Sequence, residues 1–398
     1  MSPARISIAR PRIAVVGGAG AMGRIIVRDL VETAPADVEI VLADRDEKAA
    51  SAIARSLRKR RKIAVVGVDA TRKAPTVRAL AGTTVLVNAC HHAFNLRLMD
   101  VALACGAHYT DLGGLFHVTR EQLKLHQTFA RKNLLAITGM GSAPGIVNIM
   151  ARASADRFET VSEIHIAVGT ADRTPRKHPG LLSTSYTIHT VLDEASQPAA
   201  LFTGGKLRFV EPLSGGDAVE FPSPVGRQYP ARTLHSELAT LPASFKSKGV
   251  QEVSFRIAFP GDLLDRLRFL HKLGMTSTQA IAVKAKPVVP REVLLALLAQ
   301  QPPAVATGPV DEYEVLRVIV RGTRGGKAVE EISDCHVPGI PAWELGVDVD
   351  TGCPPSIVAQ MLLRGDITAR GVLPPEQAVP PAPFFESLEK RGMHVTLS

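Results

Sequence analysis

Three kinds of residue in this chain have the types and spacing to do chemistry. The first are glycines: Gly18, Gly20 and Gly23 form G-x-G-x-x-G inside GGAGAMG, with Ala21 and Met22 between the last two. A loop of this kind, placed after a strand and opening a helix, turns free backbone N–H groups toward the charge of a pyrophosphate. The first glycine is expected to permit the tight turn, the second the approach of the pyrophosphate, and the third the close packing of helix on strand. A dinucleotide is therefore expected here. Asp44 stands about 20 residues further on, where a carboxylate accepts the ribose hydroxyls. It repels a 2′-phosphate, so NAD is expected over NADP. Arg45 is the residue that would reverse this by pairing with the phosphate; its other role is to stack on adenine.

The second kind can take or give a proton: His91 and His92, Asp111, and His235 with Glu237 in TLHSELATLP. The two histidines follow a strand, where ligands of parallel sheets sit, and backbone-satisfied structural histidines are the alternative. Asp111 serves either the site or the capping of its own loop. His235 and Glu237 face the cleft if their loop lines it. His91, His92 and Asp111 also have metal-ligand types, but no ligand spacing supports zinc, and no metal is expected. The third kind is cationic: Arg173, Arg227, Arg232 and Lys246 are partners for a substrate carboxylate, and the sequence does not choose among them.

These residues need elements to position them. RIAVVG (12–17), VEIVLAD (38–44), KIAVVGVDA (62–70), TVLVNAC (84–90), AHYTDLGG and LLAITG (134–139) read as strands alternating with amphipathic helices, one of them from about Asn95 to Cys105. Continuous aliphatic strands between helices mean a parallel sheet covered on both faces. Asp69 and Ala70 end the third strand, beside the adenine; Asn88, Ala89 and Cys90 end the fourth, beneath the nicotinamide ribose. Beyond Pro144 strands alternate in polarity, and EYEVLRVIVRGTRGGKAVEEI reads as a hairpin. The expected fold is α/β, a doubly wound dinucleotide-binding domain over 1–145. A mixed-sheet α+β substrate domain follows over 146–345, and a helical segment over 346–398 returns to the first domain.

The length, 398 residues, suits two domains. No stretch approaches the roughly 20 apolar residues of a membrane helix. The N-terminal MSPARISIARPR is basic and leads into a strand-like run, not a signal-peptide apolar segment, so a cytoplasmic location is expected. Four dispersed cysteines form neither a disulfide framework nor a zinc motif. The net charge of +9 raises a nucleic-acid partner, yet only Arg55–Lys62 is a dense basic run, and aromatics at 5% offer no stacking platform.

GGAGAMG, ADRD, NACHHAFNLRLMDVALACGAHYTDLGG, GMGSAPGIVNIMA, HSELATLP and GVLPPEQAVPP occur in an order that resembles the saccharopine dehydrogenase-like oxidoreductases, PLSGGDAVEFPSPVG adding a likeness to the lysine 6-dehydrogenase branch. The chain departs from that pattern at CHHAFN, where relatives often carry an apolar or aromatic stretch. The resemblance implies a Rossmann domain and a homodimer. It also implies NAD-linked oxidation of a carbon–nitrogen bond in a small amine or amino acid, lysine's ε-amine first. A saccharopine- or carboxynorspermidine-type reductase and a non-catalytic NAD-binding regulator are the alternatives. Such an amine titrates at about 10.4 when free, so a base must take its proton. His91, His92, Asp111 and His235 are then the candidate catalytic groups. Gly114, Arg173, Arg232 and Glu237 are the candidates to contact the substrate.

Overall fold

Six aliphatic runs become parallel strands: β1 (Arg12–Val16), β2 (Glu39–Asp44), β3 (Ala64–Gly67), β4 (Val85–Asn88), β5 (His108–Asp111) and β6 (Leu135–Ile137). They lie in the order β3-β2-β1-β4-β5-β6, and Gly371–Leu373 adds a seventh strand beside β6. Side chains alternate between two buried layers: Ile13 and Val15 face one, Ala14 and Val16 the other. The order reverses between β1 and β4, which opens a crevice at the carboxyl ends of the strands. The computed structural model describes residues 10–177, 180–182, 187–259, 261–302 and 304–398, so most of the basic N-terminal stretch lies outside the described residues.

A second, mixed sheet has seven strands in the order His394–Leu397, Lys327–Val337, Glu312–Arg324, Thr160–Asp172, Glu252–Ile257, Ala199–Thr203 and Lys206–Val210. Only Thr160–Asp172 and Glu252–Ile257 run parallel to each other. The hairpin read from sequence closes at Gly325 and Gly326, both with positive φ, as a tight right-twisted turn requires. One face of this sheet (Ile164, Ile166, Val253, Phe255, Val318) shares a continuous core with helix Ile146–Ala155 and the first sheet.

The C-terminal segment reaches further than its helices suggested. Its strand Gly371–Leu373 extends the first sheet, while His394–Leu397 edges the second. The helix Val349–Arg364 packs against Ala21–Thr33, the helix that follows the glycine loop. Gly352 makes that approach possible, because a Cβ there would lie 2.4 Å from Ile25 Cγ2. Arg391 clamps the same helix through two 2.7 Å bonds to the buried Asp29 carboxylate. Part of the basic run is also structural: Arg61 donates to the carbonyls of Ala34, Pro35 and Val38, and Arg60 pairs with Glu32.

Gly352→Leu is expected to force these two helices apart at a cost of about 1–3 kcal/mol. A thermal melt would show a lowered midpoint; an unchanged midpoint would mean the contact is looser than described.

Candidate active site

The glycine loop is held by backbone bonds. Gly17 and Gly18 N–H both donate to the Ala43 carbonyl, at 2.9 and 3.2 Å, and Gly20 N–H donates to Gly17 O at 3.0 Å. The tight turn belongs to Gly17, with φ at +78°, which corrects its assignment to Gly18. Gly18 serves packing instead, since a Cβ there would meet Leu42 Cγ at 2.8 Å. Gly23 has no room for any side chain: its Cβ would sit 2.1 Å from Gly17 O. Around Gly20 only Gly17 O, at 3.2 Å, comes near an added Cβ, so the loop is open there. No side chain caps the helix that starts at Ala21. Open space at Gly20 and uncapped amides behind it fit a pyrophosphate.

Asp44 links this loop to β2. Its Oδ2 accepts from Ala19 N–H at 2.9 Å and its Oδ1 from Asp46 N–H at 3.0 Å. Each oxygen keeps a lone pair for a ribose hydroxyl. Asp69 accepts from the Thr71 N–H and hydroxyl, shaping the turn that carries Ala70 past β3, and Arg45 lies within electrostatic reach of it. Ala89 and Cys90 abut the loop: a Cβ on Gly17 would lie 2.9 Å from Cys90 Sγ. Burial and then Asp44 push the Cys90 thiol up to about 12, so it stays protonated. The buried Asn88 side chain is committed to the protein, bonding Asn95, Tyr109 and the Cys90 N–H.

Asp111 is 1% exposed and accepts four hydrogen bonds: from Gln122 Nε2 (2.6 Å), Gly139 N–H (2.8 Å), Tyr109 O–H (3.0 Å) and Gly113 N–H (3.0 Å). Its oxygens are thus engaged by the protein on every side. Gly114 starts helix Leu115–Leu123 and is packed, since a Cβ would meet Gln122 Oε1 at 2.6 Å and Thr119 N at 2.9 Å.

The histidines meet a residue that sequence reasoning missed. Asp193, on helix Ile188–Ser196, turns Oδ2 toward His91 Nε2 at 3.5 Å and His92 Nε2 at 3.7 Å. The two rings lie 3.9 Å apart. Burial, then the His91 charge, pull His92 down to about 4, so it is neutral across the physiological range. The other carboxylate oxygen of Asp193 is paired with Arg291, which donates to Thr276 O and Ser196 Oγ as well. A polar hollow of about 570 Å³ shares Asp193 and is lined also by Gln197, Thr276, Ser277 and Gln279.

The neighbouring Glu194 grips His235, the third candidate histidine. His235 Nε2 is 3.5 Å from Glu194 and Nδ1 is 3.1 Å from Glu237, with the ring stacked on Phe255 at 3.7 Å. Burial opposes its charge, but Glu237 and Glu194 together outweigh that and raise it to about 10. Both ring nitrogens of His235 thus face carboxylates, which favours its charged form. Glu237 is fully buried and is its counter-ion, not a surface for substrate.

Arg173 is bonded to the Pro224 carbonyl, Arg227 is paired with Glu220, and Lys246 is exposed in a short turn. Arg232 lies beside the Gly215 turn, within electrostatic reach of Arg256, and its buried Nε has no partner among the described residues.

A doubly wound sheet with this loop and a covering second domain defines a dinucleotide-dependent oxidoreductase. The chain belongs to the saccharopine dehydrogenase family: residues 13–137 match the saccharopine dehydrogenase NADP binding domain and residues 141–393 the saccharopine dehydrogenase C-terminal domain. It is an NAD(P)-dependent oxidoreductase of amines or amino acids. It is 22% identical over 393 residues to carboxyaminopropylagmatine dehydrogenase from Synechocystis, covering 95% of this chain and 96% of that one. Its fold is similar to apo saccharopine dehydrogenase (L-Glu forming) from Saccharomyces cerevisiae (TM-score 0.71, 15% identity, 98% and 99% coverage). It is similar too to homospermidine synthase from Legionella pneumophila in complex with NAD (TM-score 0.70, 13% identity, 98% and 92% coverage). Among the described residues no helix is long and apolar enough to cross a membrane.

Asp44→Ala is expected to weaken NAD binding and to narrow its advantage over NADP. Tighter NADP binding by the wild type, measured by fluorescence titration, would give the pocket to Arg45. For His235 the folded-state value of about 10 lies above an unfolded value of about 6.5, so its stabilisation is complete below that pH and fades as pH climbs toward 10. The melting midpoint should fall through this window in the wild type and much less in His235→Gln. Parallel curves would show that the buried pair carries no such charge.

Proposed function

We propose that the chain forms or breaks a secondary amine that joins an amino-acid arm to a second amine, the class that the name carboxyaminopropylagmatine denotes. The observation that carries this reading over oxidation of lysine alone is the polar hollow beside Asp193. It gives a long amine arm hydrogen-bonding room next to the histidine cluster. The near full-length likeness to the Synechocystis enzyme supports it.

In this reading a nicotinamide cofactor held by the glycine loop and Asp44 would supply or accept the hydride at the carbon of a C=N bond. The reacting nitrogen gains or loses a proton at the same time, and the cluster at the end of β4 exchanges it. Of the two imidazoles that face Asp193, His91 has the more open side chain. His235 takes no proton; it ties Glu194 and Glu237 together and so holds the helix that presents Asp193.

The test is oxidation of NADH and NADPH on mixing an amine such as agmatine with aspartate β-semialdehyde, the aldehyde that supplies a carboxyaminopropyl arm. Turnover should require both partners and yield the coupled amine by mass. NAD reduction by lysine alone, with no coupling, would instead make the enzyme a lysine 6-dehydrogenase. His91→Ala is expected to lower turnover by about 10²–10⁴-fold with NAD affinity unchanged. Near wild-type turnover would move the proton to another group.

A further inference from the structure

We propose that His91, His92 and Asp193 form a site for one divalent transition-metal ion of the zinc class, clasping the two domains at the cleft. Three electron-pair donors converge there: the Nε2 atoms of both histidines and Oδ2 of Asp193, all within 4.8 Å of one another. Each imidazole lies 3.5 or 3.7 Å from the same oxygen. Those separations are long for hydrogen bonds. They are close to the edge of a tetrahedral site, since metal–ligand bonds of about 2.0–2.2 Å put neighbouring ligands roughly 3.3–3.6 Å apart.

The surroundings are also those of a metal site. Asp193 is oriented by Arg291, which occupies its other oxygen and is itself fixed by Thr276 O at 2.7 Å and Ser196 Oγ at 2.9 Å. A held carboxylate with one free oxygen is what a second shell provides. Binding through Nε2 puts the His91 proton on Nδ1 and gives up only a long 3.4 Å contact with Ala93 N–H. Two imidazoles and one carboxylate are a ligand set for zinc or cobalt, less suited to calcium or magnesium. Three protein ligands leave a fourth position for water, and with the ion in place that water would exchange the proton that His91 exchanges in the metal-free site. His189 stands one helical turn before Asp193, with its ring centre 6.3 Å from that of His91.

The proposal rests on the reading above only for the neighbourhood of the reacting bond, and its test does not need turnover. The full chain, stripped with a chelator, is titrated with Zn²⁺ by calorimetry and with Co²⁺ by visible spectroscopy. One Zn²⁺ should bind per chain, and Co²⁺ should give the strong visible band of four-coordination. His92→Ala and Asp193→Asn should abolish both signals. Arg291→Gln should weaken binding by roughly 10–100-fold. Circular dichroism and NAD titration establish that each variant is folded, and Asp193→Asn, which keeps the side chain's shape, decides the matter if His92→Ala does not fold. Absence of binding, or equal binding by Asp193→Asn and wild type, overturns the site and leaves the proposed reaction standing. Binding without amine coupling has the opposite consequence.

Discussion

A carboxylate with almost no contact with water must be surrounded by donors, and Asp111 sets the floor of the cleft by meeting that demand. Its four donors come from β5, the turn after it, helix Leu115–Leu123 and the loop after β6. Burial pulls its pKa up against all of them. The network continues outward: Gln122 receives a bond from Asn95, Asn95 donates to Gly113 O, and Asn88 bonds both Asn95 and Tyr109. The carboxyl ends of β4, β5 and β6 are thereby locked to one another. A buried network of this kind is rigid only when every member is satisfied.

On that floor the second domain supplies what the first lacks. Helix Ile188–Ser196 places Asp193 against the histidines after β4 and Glu194 against His235, using two consecutive residues. Arg291 secures the first contact and the stacked Phe255 the second.

The cofactor half of the site was legible because its determinants are local. A glycine loop between a strand and a helix, and a carboxylate at the end of the next strand, can be read without knowing the rest of the fold. Gly17 was misread only because adjacent glycines make the turn position ambiguous until φ is seen. The partners of the proton-active residues were not legible. Asp193 lies about a hundred residues beyond His91 in sequence, and Arg291 about a hundred beyond that, joined only by the packing of the second domain. Asp111 and His235 have the residue types of catalytic groups, and nothing short of their burial and partners shows that one is a hub and the other a locked cation. The turn of the C-terminal tail into both sheets was equally hidden, since each of its strands is short.

The central claim is that the cofactor's reactive end lies beside the cluster of His91, His92 and Asp193. A crystal structure of the chain with NAD bound tests it directly. The account predicts the pyrophosphate over Gly20, the adenosine ribose on Asp44, and the nicotinamide ring across Ala89 and Cys90 with its open face toward the cluster. A nicotinamide directed away from those three side chains, with the hollow beside Asp193 closed off from it, would contradict the account.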